Sequence, residues 1–99
     1  MDEGSVRDHA NQHANAVMSG DMATAARDLT DSGKAAAPAV MKDMPRPVTS
    51  VEVTKLEQEG DTIVAYIAYR GDDAEHVVAS HWEDQDGRPM IVDLRVVSG

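Results

Sequence analysis

The chain has 99 residues, a net charge of −9 and no cysteine, with one Trp, two Tyr, no Phe and six Met. That length makes one domain with a modest core, and nine Lys and Arg scattered among eighteen Asp and Glu make nucleic acid and anionic membranes poor partners. The missing cysteines exclude disulfides, thiolate metal sites and thiol catalysis.

In chain order, the first predicted element is a helix over residues 5–19. Ser5 is its expected N-cap, and Val6, Ala10, Ala14, Val17 and Met18 recur on one stripe. Gly20 supplies a left-handed stop, and Asp21 caps a second helix over 22–29. Thr30-Asp31-Ser32-Gly33 breaks it. A third, Ala-rich helix follows over 34–44, with Pro38 opening it or kinking it. Pro45-Arg46-Pro47 divides the two halves of the chain.

The second half reads as four strands over 48–58, 62–70, 75–84 and 90–98, separated by Glu59-Gly60-Asp61, Gly71-Asp72-Asp73 and Asp86-Gly87-Arg88. Such short connections join only antiparallel neighbours. The expected fold is therefore α+β: three N-terminal helices, within residues 5–44, packed on a curved, cone-like four-stranded antiparallel meander, within 48–98. All of 1–99 forms one domain. No apolar run reaches membrane-spanning length, and the first five residues lack the basic start and apolar core of a signal peptide, so the cytoplasm is the expected compartment.

A two-residue turn at Asp86-Gly87 predicts His81 opposite Val92, Ala79 opposite Leu94, Val77 opposite Val96 and Trp82 opposite Ile91. A two-residue turn at Asp72-Asp73 pairs Arg70 with Glu75, Tyr66 with Ala79 and Val64 with His81. One face then holds Val64, Tyr66, Ala68, Val77, Ala79, His81, Val92, Leu94 and Val96, and is expected to lie under the helices. A slip of one residue would reverse that assignment. The second strand is apolar on both sides, so the other face, with Ile63, Ile67, Val78, Trp82 and Ile91, is expected to meet a second copy of the chain. Asp93 and Arg95 share that face and would pair across the dimer axis.

Two stretches carry a family resemblance. Ala16-Val17-Met18-Ser19-Gly20-Asp21-Met22-Ala23 is a helix-Gly-Asp-helix junction. Ser80-His81-Trp82-Glu83-Asp84-Gln85-Asp86-Gly87-Arg88-Pro89-Met90-Ile91-Val92-Asp93-Leu94 is a closing hairpin with Trp before an acidic-Gly turn. In these, and in the order of its elements, the chain resembles the nuclear-transport-factor-2-like superfamily, which includes SnoaL-type cyclases and ketosteroid isomerases. The resemblance implies a pocket between helices and sheet. Family enzymes are usually longer, add a pocket-deepening strand and line the pocket with more aromatics than this chain has.

Among residues that could carry chemistry, His81 and Tyr66 stand first. On the expected helix-covered face His81 could move a proton near neutral pH, and Tyr66 could steady an oxyanion. Val64, Tyr66, Ala79, His81, Val92, Leu94 and Met18 would line the pocket. His9 and His13, four apart on one helix, lack a third ligand and read as a polar helix face, so no metal and no cofactor is expected. The preferred expectation is a non-catalytic homodimeric module that binds a small apolar molecule or joins an assembly. The alternatives are an isomerase- or cyclase-type enzyme working through His81, and a protein-interaction subunit docking through Ile63, Ile67 and Trp82.

Overall fold

The structure is a computed structural model and describes residues 2–42 and 44–98. Met1, Asp43 and Gly99 lie outside the described residues, so the expected passage of the third helix through Asp43 does too. Three helices, α1 (Glu3–Ser19), α2 (Met22–Ala26) and α3 (Asp31–Lys42), precede an open antiparallel sheet in the order β1 (Ser50–Glu59), β2 (Thr62–Arg70), β3 (Glu75–Gln85) and β4 (Arg88–Ser98). This is the expected α+β arrangement, with helices first and sheet second.

The helix ends differ from expectation for local reasons. Asp2, not Ser5, caps α1, its carboxylate accepting from Ser5 N at 2.7 Å. Gly20 closes the helix at φ 81°, as a left-handed cap should. Asp21 accepts from Thr24 N at 3.2 Å and from the Thr24 hydroxyl at 2.6 Å. Those two bonds hold its carboxyl below the usual carboxylate range. Helix α2 stops at Ala26 because residues 28–30 leave it to bond the sheet. Ile91 N donates to Asp28 O at 2.6 Å and Thr30 N donates to Ile91 O at 3.0 Å, a parallel bridge on the outer edge of β4. Thr30 then caps α3, its hydroxyl oxygen accepting from Gly33 N at 3.2 Å. Pro38 therefore lies inside a longer helix rather than opening a short one. Gly33 has a steric purpose: a Cβ there would stand 2.4 Å from Ile91 O.

The sheet turns behave as expected. Asp86 and Gly87 have φ of 55° and 89°, both positive as a type I′ turn requires, and Gln85 faces Arg88. The β2–β3 register also holds, with Arg70 opposite Glu75, Tyr66 opposite Ala79 and Val64 opposite His81. The β3–β4 register holds only near the turn. Trp82 faces Ile91, but Val92 is an extra residue, so His81 faces Asp93 and Ala79 faces Arg95. A second extra residue, Val97, leaves Val77 opposite Ser98.

The largest correction concerns the faces. The helices cover Ile63, Ala65, Ile67, Tyr69, Val78, Trp82 and Ile91, which join Val6, Ala10 and Ala14 of α1 and Val40 and Met44 in one core. The expected pocket face of Val64, Tyr66, Ala79 and His81 points away from the helices. Volume explains the choice. The gap under three helices must be filled at crystal-like density, and Trp82, Ile63, Ile67 and Ile91 are the largest fully buried side chains. Val64, Ala68 and Ala79 are also buried, though on the outer face, and all three are small. Trp82 is satisfied internally, its Nε1–H donating to Ser80 Oγ at 2.9 Å while Ser80 Oγ donates to Ala65 O at 2.8 Å.

Candidate functional site

Between the helices and the covered face of the sheet lies a cavity of about 210 Å³. Its wall is built from side chains the sequence spaces for helix packing: Val17 of α1, Met22 and Ala25 of α2, and Val40 and Met41 of α3, with Leu29 and Met44. Val78 and Leu94 close it from the sheet. Leu94 reaches it because the extra Val92 turns the following residues over, placing Leu94 opposite Ser80 on the covered side. Two hydrogen-bonding side chains interrupt this apolar wall, His13 and Tyr69.

His13 begins a chain of polar side chains that runs from the core to the surface. Its Nδ1 lies 3.2 Å from Asp28 Oδ2, and both side chains are under a tenth exposed, at 7% and 8%. The other Asp28 oxygen accepts from Arg88 Nη2 at 2.8 Å. Arg88 also donates from Nη1 to Arg27 O at 2.9 Å. Asp28 is placed by its own backbone, whose carbonyl bonds Ile91 N. The imidazole thus donates Nδ1–H to a fixed carboxylate, which leaves Nε2 as its second hydrogen-bonding nitrogen. The Trp82 ring meets the His13 ring edge-on, with centroids 6.3 Å apart, and fixes its plane from the core side.

Tyr69 lies deeper, and burial pushes its phenol well above the ordinary tyrosine range. Across the strand pair from it is His76, 4% exposed. His76 Nε2 is the one buried side-chain nitrogen or oxygen with no hydrogen-bond partner among the described residues.

The residues expected to form the site are not brought together in the cavity. His81 and Tyr66 sit on the outer face, half-buried. His81 faces Val64 and Asp93. The neighbouring Glu57 carboxylate raises the Tyr66 phenol, and Tyr66 in turn lowers the Glu57 carboxyl. The Lys55 ammonium lies 5.4 Å from the Tyr66 ring centroid. Val64 and Ala79 share that outer face, and Val92 is the bulge. Met18 lines a neighbouring groove rather than the inner cavity.

Of the residues expected at a dimer interface, Ile63, Ile67, Val78, Trp82 and Ile91 are core and have no surface to offer. Asp93 and Arg95 are on the outer face but pair with each other, Nε to Oδ2 at 3.2 Å. His9 donates from Nδ1 to Ser5 O at 2.8 Å. With His13 it flanks Trp82 and forms no polar face. Among the described residues no three His, Cys, Asp or Glu side chains converge as a metal site would require.

The sequence did hold a signal for His13. Val6, Ala10, His13, Ala14 and Val17 keep helical spacing, so His13 falls on the apolar stripe of α1 and must find a buried partner. Asp28 carried no such mark, because its partners lie on other elements. No family model, curated protein or solved structure matches this chain. No helix among the described residues is long and apolar enough to cross a membrane.

Proposed function

We propose that this chain is a binding module for a small, largely apolar molecule, held between helices and sheet with one polar group on His13. The observation that carries the reading is the cavity of about 210 Å³, apolar except for the Tyr69 phenol and an imidazole already locked by Asp28. An engineered apolar cavity of roughly 150 Å³ suffices to bind benzene. Ligand sites commonly pair an apolar wall with a few fixed polar groups. Native mass spectrometry of the protein as purified tests the reading. A retained mass of one to a few hundred daltons, lost in a Val40→Phe variant that fills the cavity, supports it. A clean chain that also fails to take up benzene in solution would count against it.

The same imidazole favours a second reading, an isomerase- or cyclase-type enzyme in which His13, rather than His81, moves the proton. Nε2 would take a proton from the carbon beside a carbonyl and return it, and Asp28 would steady the imidazolium so formed. Exchange of such protons for deuterium by added cyclic ketones, followed by NMR, should then depend on His13 and survive His81→Ala. The relation to the nuclear-transport-factor-2-like superfamily stands as a proposal, supported by three helices preceding an open antiparallel sheet. A cytoplasmic homodimer belongs to the same proposal. Its interface would be the outer face around Tyr66, Val77 and His81, whose rim carries both charge signs, as a self-complementary contact needs.

A further inference from the structure

We infer that the ligand is a monocarboxylic acid with an apolar body, its ring or chain in the inner cavity and its carboxylate at Arg46. This rests on the binding reading above and names the class of molecule it admits. The inner cavity adjoins a groove of about 330 Å³ between the end of α1 and residues 44–48. Val17, Met22, Met41 and Met44 line both spaces and form the partition between them. Three of the four are methionines, unbranched side chains that shift to admit a guest at low cost.

Charge decides the chemistry of the far end. The chain has eighteen acidic and nine basic residues, yet among the described residues no carboxylate lines the cavity or the groove. Among the described residues the single Lys or Arg on either wall is Arg46. Its Nη2 lies 3.4 Å from Met41 O, which places the guanidinium beside the methionine partition. Asp72 and Asp73 share a separate hollow with Arg46. A guanidinium offers several further N–H donors in the geometry a carboxylate accepts. An apolar passage that ends in a cation, on a protein otherwise rich in negative charge, is complementary to an apolar acid. It would discriminate against dicarboxylates and against cationic amphiphiles. The inner volume exceeds the roughly 150 Å³ that takes up benzene, so a phenyl ring can fill it while a short chain passes the methionines.

The test compares 4-phenylbutanoate with 4-phenyl-1-butanol, its neutral counterpart, by calorimetry and by the methionine methyl resonances of the full chain. The acid is expected to bind about fivefold more tightly, the scale of one solvent-accessible charge pair. Arg46→Gln should erase that difference and Arg46→Lys should restore part of it, while the affinity for the alcohol stays constant in both. If the acid binds no better than the alcohol, or if Arg46→Gln leaves its affinity unchanged, the assignment of an acid is overturned and the binding module survives. If neither compound binds the parent, the module itself falls, and this assignment with it.

Discussion

The two faces of the sheet use similar residues to opposite ends. Under the helices, Trp82, Ile63, Ile67 and Ile91 are packed with almost no residual exposure, and two polar pairs there are fixed, Trp82 to Ser80 and His13 to Asp28. On the outer face Val64, Ala68 and Ala79 are equally dry, but they are small. The polar groups around them, Lys55, Glu57, Asp93 and Arg95, form exposed pairs that solvent screens. Burial alone therefore does not mark the core side. The covered face is the one with large side chains and fixed polar pairs, and it is the face that bounds the candidate site.

Substitutions that weigh one face against the other should separate most widely at neighbouring residues of β3. Trp82→Ala is expected to cost about 3–5 kcal/mol, a large part of the stability of so small a domain. His81→Ala, one residue away on the outer face, should change stability by less than about 1 kcal/mol. Urea unfolding of the pair checks this, and equal losses would mean that the faces are wrongly assigned.

Next in size is the buried carboxylate. Asp28→Asn should cost about 2 kcal/mol, less than a fully buried ion pair because Arg88 is half exposed. It should also disturb the near-ultraviolet signal of Trp82 through the His13 ring. Asp93→Asn, the outer-face comparison, should do neither. Gly33→Ala should cost about 1–3 kcal/mol, since its Cβ would collide with Ile91 O and loosen the bridge that positions Asp28. Amide exchange at Thr30 and Ile91 would report that loosening residue by residue.

The smallest expected effect is one of pH. Burial raises the Tyr69 phenol above its ordinary value of 10.0. Above that value the unfolded chain loses the proton while the folded chain keeps it, so the folded state binds more protons and stability falls as pH rises. Below it the two states are equally protonated and Tyr69 contributes no pH dependence. Unfolding followed at increasing alkaline pH should show this decline in the parent, and a weaker one in Tyr69→Phe.

Much of the fold was legible because it is written locally. Gly20 and Asp21 mark a helix junction whatever surrounds them, and Asp86-Gly87 fixes a turn through its backbone conformation alone. The face assignment was not legible, because both faces of β2 are apolar and the choice depends on the volume to be filled beneath helices that the strand does not encode. The bulge at Val92 was hidden for a related reason. Nothing in Ile91-Val92-Asp93 announces an extra residue. It is held there by Thr30 and Ser32, about sixty positions earlier in the chain, which donate to Ile91 O and Val92 O. The site followed the same rule. His13 was visible as a misfit on an apolar stripe, whereas Asp28, Arg88 and the turned Leu94 became partners only once β4 had docked beside the 28–30 segment.

The central claim is that the helix-covered face, and not the outer one, holds an accessible apolar site. A benzene titration of methyl-labelled protein tests it most directly. Saturable shifts confined to the methyl groups of Leu29, Val40, Met41 and Leu94, with Val64 and Val77 unmoved, are the predicted result. Shifts that centre on Val64 and Val77, or none that saturate, would contradict it.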